Sequence, residues 1–270
     1  MNAFLPSRYL ERVTRLALGI EAIDAQRQER IGHPIRITFD QVPLGLPRPK
    51  IWRHNSCVFV LLFEEGVGTT VELRLFDSAE PLWRAETDRR RFVPRRLRIP
   101  LLAQNVADSR PWSERARRIA LFPGAAYDTS ESATGLRGRV ERAGVPARWA
   151  RVQAIHPDSG QTVGRAHCDD RGEFLLLLDP SAAPIGDLSN PLTLNLRAHT
   201  PKPPSPPLPD AVKKLDPLWD LPVEVAPAPG AADPVSAGAL PWNEWDPAGA
   251  PTPVEFDLGR MRRQVPALAV

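Results

Sequence analysis

The chain has 270 residues, 42% of them hydrophobic, and a formal net charge of +3. That length exceeds one compact sandwich and suits two domains of roughly 100 residues each plus a tail. No run approaches the ~18 consecutive apolar residues of a membrane span. Pro6, Arg8, Glu11 and Arg12 interrupt the opening segment where a secretory signal needs an apolar stretch, so the expected compartment is the cytoplasm.

The charge is unevenly spread. Residues 1–200 hold 29 Arg and Lys against 23 Asp and Glu, whereas residues 201–257 hold three Lys against nine acids. A basic body with an acidic following segment attracts itself, so the tail is expected to lie along the body. Cys57 and Cys168 sit in or beside strand-like runs and read as two small buried side chains in a reducing compartment.

In chain order, residues 4–15 form a short helix or an irregular lead-in. From Leu16 the apolar period changes to two. Strand-length runs rich in β-branched and aromatic residues follow at 35–39, 57–63, 71–76 and 96–101. The Gly66-Val67-Gly68 turn predicts a hairpin between the 57–63 and 70–77 runs. Residues 112–119 read as a short helical or extended connector. Strands are then expected near 135–142, 147–156, 161–168, 172–179 and 192–199, the last a clean alternation of Leu192, Leu194 and Leu196 with polar residues.

From Pro201 the composition shifts: residues 201–257 carry 15 of the 31 prolines, which favours polyproline II and excludes an ordinary central strand. Residues 218–225 (LWDLPVEV) are expected to supply an edge strand to the second domain, where Pro222 is tolerated. The predicted fold is all-β: two β-sandwich domains in tandem, residues 1–120 and 121–226. A Pro/Trp-rich, largely irregular tail over 227–270 follows, and it is expected to be removable without unfolding either sandwich.

Within the second domain, Gly138-x-Val140, then Gly144-x-Pro146-Ala147-x-x-Ala150-x-Val152, then Asp169-x-x-Gly172-x-Phe174-x-Leu176 form a pattern. It resembles the carboxypeptidase regulatory-like domain, a transthyretin-like β-sandwich, over residues about 134–199. The resemblance implies a non-catalytic module that braces or presents something else, with Asp169 to Gly172 as the tight turn before a core strand and Phe174 buried.

His167-Cys168-Asp169-Asp170 groups ligand-type side chains, with His156 across a hairpin. The spacing of a zinc or calcium site is missing, and neighbours on a strand point to opposite faces, so no metal is expected. No nucleophile elbow, zincin motif or phosphate loop occurs, so neither catalysis nor a cofactor is expected. Arg89 to Arg91 with Arg95, Arg96 and Arg98 is the strongest charge feature. It reads as a turn followed by a strand with Arg96 and Arg98 on the wet face, and not as a nucleic-acid footprint. An acidic protein surface or the chain's own tail is the next expected partner of this cluster.

Trp149, in A-R-W-A-R-V, shares its strand parity with Ala147, Arg151 and Gln153, and is expected to face solvent or a partner. Candidate partner-binding residues are therefore Trp149, Trp219, Trp242 and Trp245 with Arg95, Arg96 and Arg98. The resulting expectation is a non-enzymatic structural or adaptor protein working by surface docking and strand addition. Leaderless chains of this kind resemble, in architecture, accessory parts of phage-tail-like contractile particles. The alternative is a carbohydrate- or surface-binding module using exposed tryptophans, with Trp52, Trp83 and Trp112 as further platforms.

Overall fold

The structure, a computed structural model, describes residues 15–40, 49–56, 58–63, 67–77, 90–107, 109–179, 191–202, 216–226, 245–246, 250–263 and 267–270. The fold is all-β. Among the described residues the one α-helical turn is α1 (Gln104–Ala107), and no helix is long and apolar enough to cross a membrane.

Eight strands build two four-stranded sheets. The first, in order β3-β4-β1-β7, joins β1 (Leu16–Asp24), β3 (Ile51–Arg53), β4 (Val58–Leu62) and β7 (Ala116–Leu121). The second, in order β14-β6-β5-β2, joins β2 (Ile35–Phe39), β5 (Thr70–Asp77), β6 (Arg95–Pro100) and β14 (Val223–Val225). Alternation sends Leu18, Ile20 and Leu61 from one sheet, and Leu73, Leu75, Leu97 and Ile99 from the other, into one shared core. Each such side chain contributes about 1.5–3 kcal/mol on burial.

The predicted hairpin between β4 and β5 does not form. β4 pairs with β1 and β3, while β5 pairs with β2 and β6, so the chain crosses from one sheet to the other. Both runs present an apolar face to the same core, and alternation alone does not say from which side. The connector at 112–119 resolves into a 3-10 turn (Trp112–Arg115) followed by β7, which runs parallel to β1.

The third sheet follows the path β15-β13-β10-β11-β12-β8-β17. It comprises β8 (Gly135–Arg142), β10 (Arg151–Ile155), β11 (Thr162–His167), β12 (Glu173–Leu178), β13 (Leu192–Pro201), β15 (Trp245–Asp246) and β17 (Met261–Arg263). Off this path, β9 (Val145–Pro146) and β18 (Leu268–Ala269) pair with β8, and β16 (Thr252–Phe256) pairs with β13. The two-residue turn joining β8 to β9 has positive φ at both Ala143 and Gly144, as a hairpin of matching twist requires. At Gly172 φ is 73°, and a Cβ there would meet the Val140 carbonyl oxygen at 2.6 Å. The Asp169 carboxylate caps the same turn, its Oδ1 accepting from the amides of Arg171 (2.8 Å) and Glu173 (2.9 Å).

β12 explains why its sequence, EFLLLL, does not alternate. Phe174, Leu176 and Leu178 enter the core of the third sheet, and Leu175 and Leu177 enter the core of the first two. A strand buried on both faces reads as a continuous apolar run. β12 thereby welds the two halves of the chain.

Two expectations about the C-terminal third are corrected. β14 joins the sheet of β6, in parallel, and not the second domain. The described parts of the tail include strands of the third sheet: β16 pairs with Leu192–Leu196, and β17 and β18 run parallel to β8. Edge positions tolerate Pro253, and the inward side chains still pack, Phe256 at 0% exposure and Leu268 beside it in the core. Phe256→Ala should therefore cost about 3–5 kcal/mol of stability, measured by urea unfolding. A cost below about 1 kcal/mol would mean that the tail is merely laid on the surface, as the sequence suggested.

Candidate docking site

Residues 216–226 form a strap across both halves of the molecule. Its acids recur every fourth residue, and each meets arginine from a different part of the body. Asp216 pairs with Arg74 of β5 at 2.6 Å. Asp220 receives Arg148 in a two-pronged contact, Nε to Oδ2 at 2.6 Å and Nη2 to Oδ1 at 2.8 Å. Glu224 lies between Arg95 of β6 (Nη2 to Oε2, 2.7 Å) and Arg151 of β10 (Nη2 to Oε1, 3.0 Å). Leu218 and Leu221 fill the spaces between these acids, packed with Phe76, Val93 and Trp149. Over residues 216–226 the acidic segment lies along the body, each of its three acids paired with arginine.

The Arg95–Glu224–Arg151 cluster is 1% exposed at each residue. One carboxylate between two guanidiniums leaves a buried positive excess. Carbonyl oxygens offset it: Arg95 donates to Ala120 at 2.7 Å, and Arg151 donates to Trp149 at 3.2 Å. The desolvation cost is large, so the group is stable only while every member is present.

Three of the seven residues expected to bind a partner, Trp149, Trp219 and Arg95, meet at this strap, and their contacts there are intramolecular. Trp149 is 1% exposed, which corrects its assignment to a solvent-facing row. Its φ is 59°, and a left-handed residue here breaks the strand alternation that begins at β10. The ring turns inward, its Nε1–H donating to Asp220 Oδ1 at 2.7 Å. The Arg148 guanidinium carbon lies 5.4 Å from the Trp149 ring centroid and 5.9 Å from that of half-buried Trp219. Arg95 is likewise buried and not available at a surface.

On the other face of β6 Arg98 is exposed as expected, whereas the Arg96 side chain is largely covered. Arg96 pairs with Asp40, and Arg98 pairs with Glu72 at 2.7 Å. Trp245 supplies backbone pairing to Pro201. Trp242 and Trp83 lie outside the described residues, as does Cys57.

The His167 to Asp170 run is a junction feature. The His167 ring stacks on Phe122, with centroids 3.8 Å apart and planes 17° from parallel. Burial, reinforced by Arg151 and Arg95, holds its pKa well below the ordinary imidazole value. Burial pushes the Cys168 thiol well up, which leaves it unreactive. Asp169 organises the Gly172 turn. Among the described residues no three His, Cys, Asp or Glu side chains converge on a common point.

The surface aromatics that the sequence had ranked lower are the exposed ones: Trp52 at 56% and Trp112 at 70%. In the first sheet Ile51, Leu61, Leu18 and Ile20 point into the core, so the register row Trp52–Val60–Gly19 faces outward. Trp52 sits on the edge strand β3, and Trp112 sits in the turn that enters the opposite edge strand, β7. Among known proteins the chain matches no family model, no curated protein and no solved structure.

Glu224→Gln, which leaves two guanidiniums buried without a carboxylate, should cost about 3–5 kcal/mol in chemical denaturation. A loss under about 1 kcal/mol would show that the cluster is solvated. His167 stays neutral when folded but takes a proton near pH 6.5 when unfolded, so stability should fall as pH drops below that value. The slope attributable to His167 is about 1.4 kcal/mol per pH unit until its folded pKa is reached. The difference between wild type and His167→Phe, titrated from pH 7.5 to about 5.5, isolates it; parallel curves would contradict this assignment.

Proposed function

We propose that this chain is a non-enzymatic structural or adaptor protein of the cytoplasm. It holds a neighbouring protein subunit in a larger assembly, in the manner of an accessory part of a phage-tail-like contractile particle. The observation that carries this reading is the pair of exposed indoles at the two edges of the first sheet, Trp52 and Trp112. Large aromatics left in water cost solubility, and tryptophan is enriched among the few residues that dominate protein–protein binding. Between them lies a partly exposed outer face carrying Val58 and Val60. The chain already extends its own sheets by strand addition at β14, β16 and β17, the mode by which an edge strand recruits a partner segment.

The regulatory-like resemblance is supported by the strands over 135–201 and by the Asp169–Gly172 turn. The buried, unbridged Cys168 fits a reducing compartment. Carbohydrate recognition, the alternative, no longer has Trp149 but keeps Trp52 and Trp112 as exposed platforms.

Tagged full-length chain purified from its native background should retain a stoichiometric partner. Trp52→Ala combined with Trp112→Ala should weaken that retention by about 2 kcal/mol or more, roughly thirtyfold, with the fold unchanged. A wild-type chain that runs alone at native concentration would refute the assembly reading. Glycan binding abolished by Trp52→Ala would select the alternative.

A further inference from the structure

An open cleft of about 450 Å³ lies between β8, β12, the segment after β7 and the tail strand β17, lined in part by Arg137, Arg139, Arg263, Glu173, Phe174 and Ala125. Arg137 and Arg263 are directly in register on the adjacent parallel strands β8 and β17. Arg139 follows two residues after Arg137 on the same face, and it is in register with Glu173 on β12. Among the described lining residues three guanidiniums therefore share one face of one sheet with a single carboxylate.

That carboxylate is already engaged, Glu173 Oε2 lying 2.9 Å from Arg171 Nη2. Arg139 Nε lies 3.3 Å from Glu141. Arg137 donates to the Ala125 carbonyl at 2.8 Å, which fixes its position without neutralising it. Among the described residues no carboxylate pairs with Arg137 or Arg263. Like charges at directly opposed sheet positions are destabilising, and Arg263 is an exposed residue on a short strand where any polar side chain would serve the fold. Among the described lining residues the net charge is positive, which suits a multiply charged anion, and guanidinium forks match the geometry of phosphoryl oxygens.

We propose that this cleft is a binding site for a phosphoryl-type oxyanion, with Arg137, Arg139 and Arg263 as its ligands. The site stands apart from the strap and from the exposed indoles, and it does not rest on the assembly reading. Two sources of the group are distinguished by probe: inorganic pyrophosphate for a free anion, and a phosphoserine peptide for a modified protein.

Calorimetric titration of the full chain at about 0.15 M salt should show saturable one-to-one binding of one or both probes. Arg263→Gln should weaken it at least tenfold, and Arg139→Gln provides a second variant should the first fail to fold. Arg262→Gln removes the same charge from the opposite face of β17, where Arg262 pairs with Asp257, and should leave affinity within about twofold. In the absence of anion, Arg263→Gln should melt at the same temperature as wild type or higher, because a like-charge contact is gone; added pyrophosphate should raise the melting temperature of wild type alone. Failure of both probes to saturate, equal binding by Arg263→Gln and Arg139→Gln, or equal weakening by Arg262→Gln would overturn the proposal.

Discussion

One buried carboxylate ties the two halves and the strap to each other. Glu224 arrives on the strap, Arg95 comes from a sheet of the first half, and Arg151 comes from the third sheet. No pair of these three satisfies itself. Without Glu224 the two arginines would face each other in the interior without their shared carboxylate, and without the arginines Glu224 would lose the three hydrogen bonds it accepts from them. Such a group contributes little net stability over an apolar replacement, but it discriminates strongly among packings. In this placement of the strap Glu224 reaches an arginine of each half at once.

The apolar framework follows the same geometry. β12 carries leucines on both faces because one face closes the third sheet's own core and the other closes the core of the first two sheets. The stacked pair His167 and Phe122 extends that contact from β11 to the segment after β7. A neutral imidazole suits the place, since an imidazolium there would face Arg151 and Arg95. Hydrophobic burial thus holds the halves together, and the charge cluster sets their register.

Local patterning made much of this fold legible. The alternating runs at β1, β2, β5, β6 and β13 are strands because each presents one apolar face to a core, and that periodicity is written residue by residue. The Asp169–Gly172 turn was legible for the same reason, being local chemistry. Partner choice was not. β7 and β14 pair in parallel with strands about a hundred residues away, and nothing in their few residues names those strands. Trp149 was misplaced because a single left-handed residue interrupts the parity on which the inference rested. The strap had a readable signal, acids at 216, 220 and 224 alternating with Leu218 and Leu221 beside a basic body, but its four-residue spacing resembles a helix, and the chain there is a turn followed by a strand.

The burial of Trp149 and Arg95 relocates where this protein can act. Residues conspicuous in the sequence for size or charge are spent on internal cohesion, because two halves joined by a strap need aromatic and guanidinium contacts that a single sandwich does not. Among the described residues the exposed features include two indoles at opposite edges of the first sheet and an arginine-lined cleft on the third. The charge cluster makes yielding costly, since any hinge motion between the halves would part Glu224 from one of its arginines.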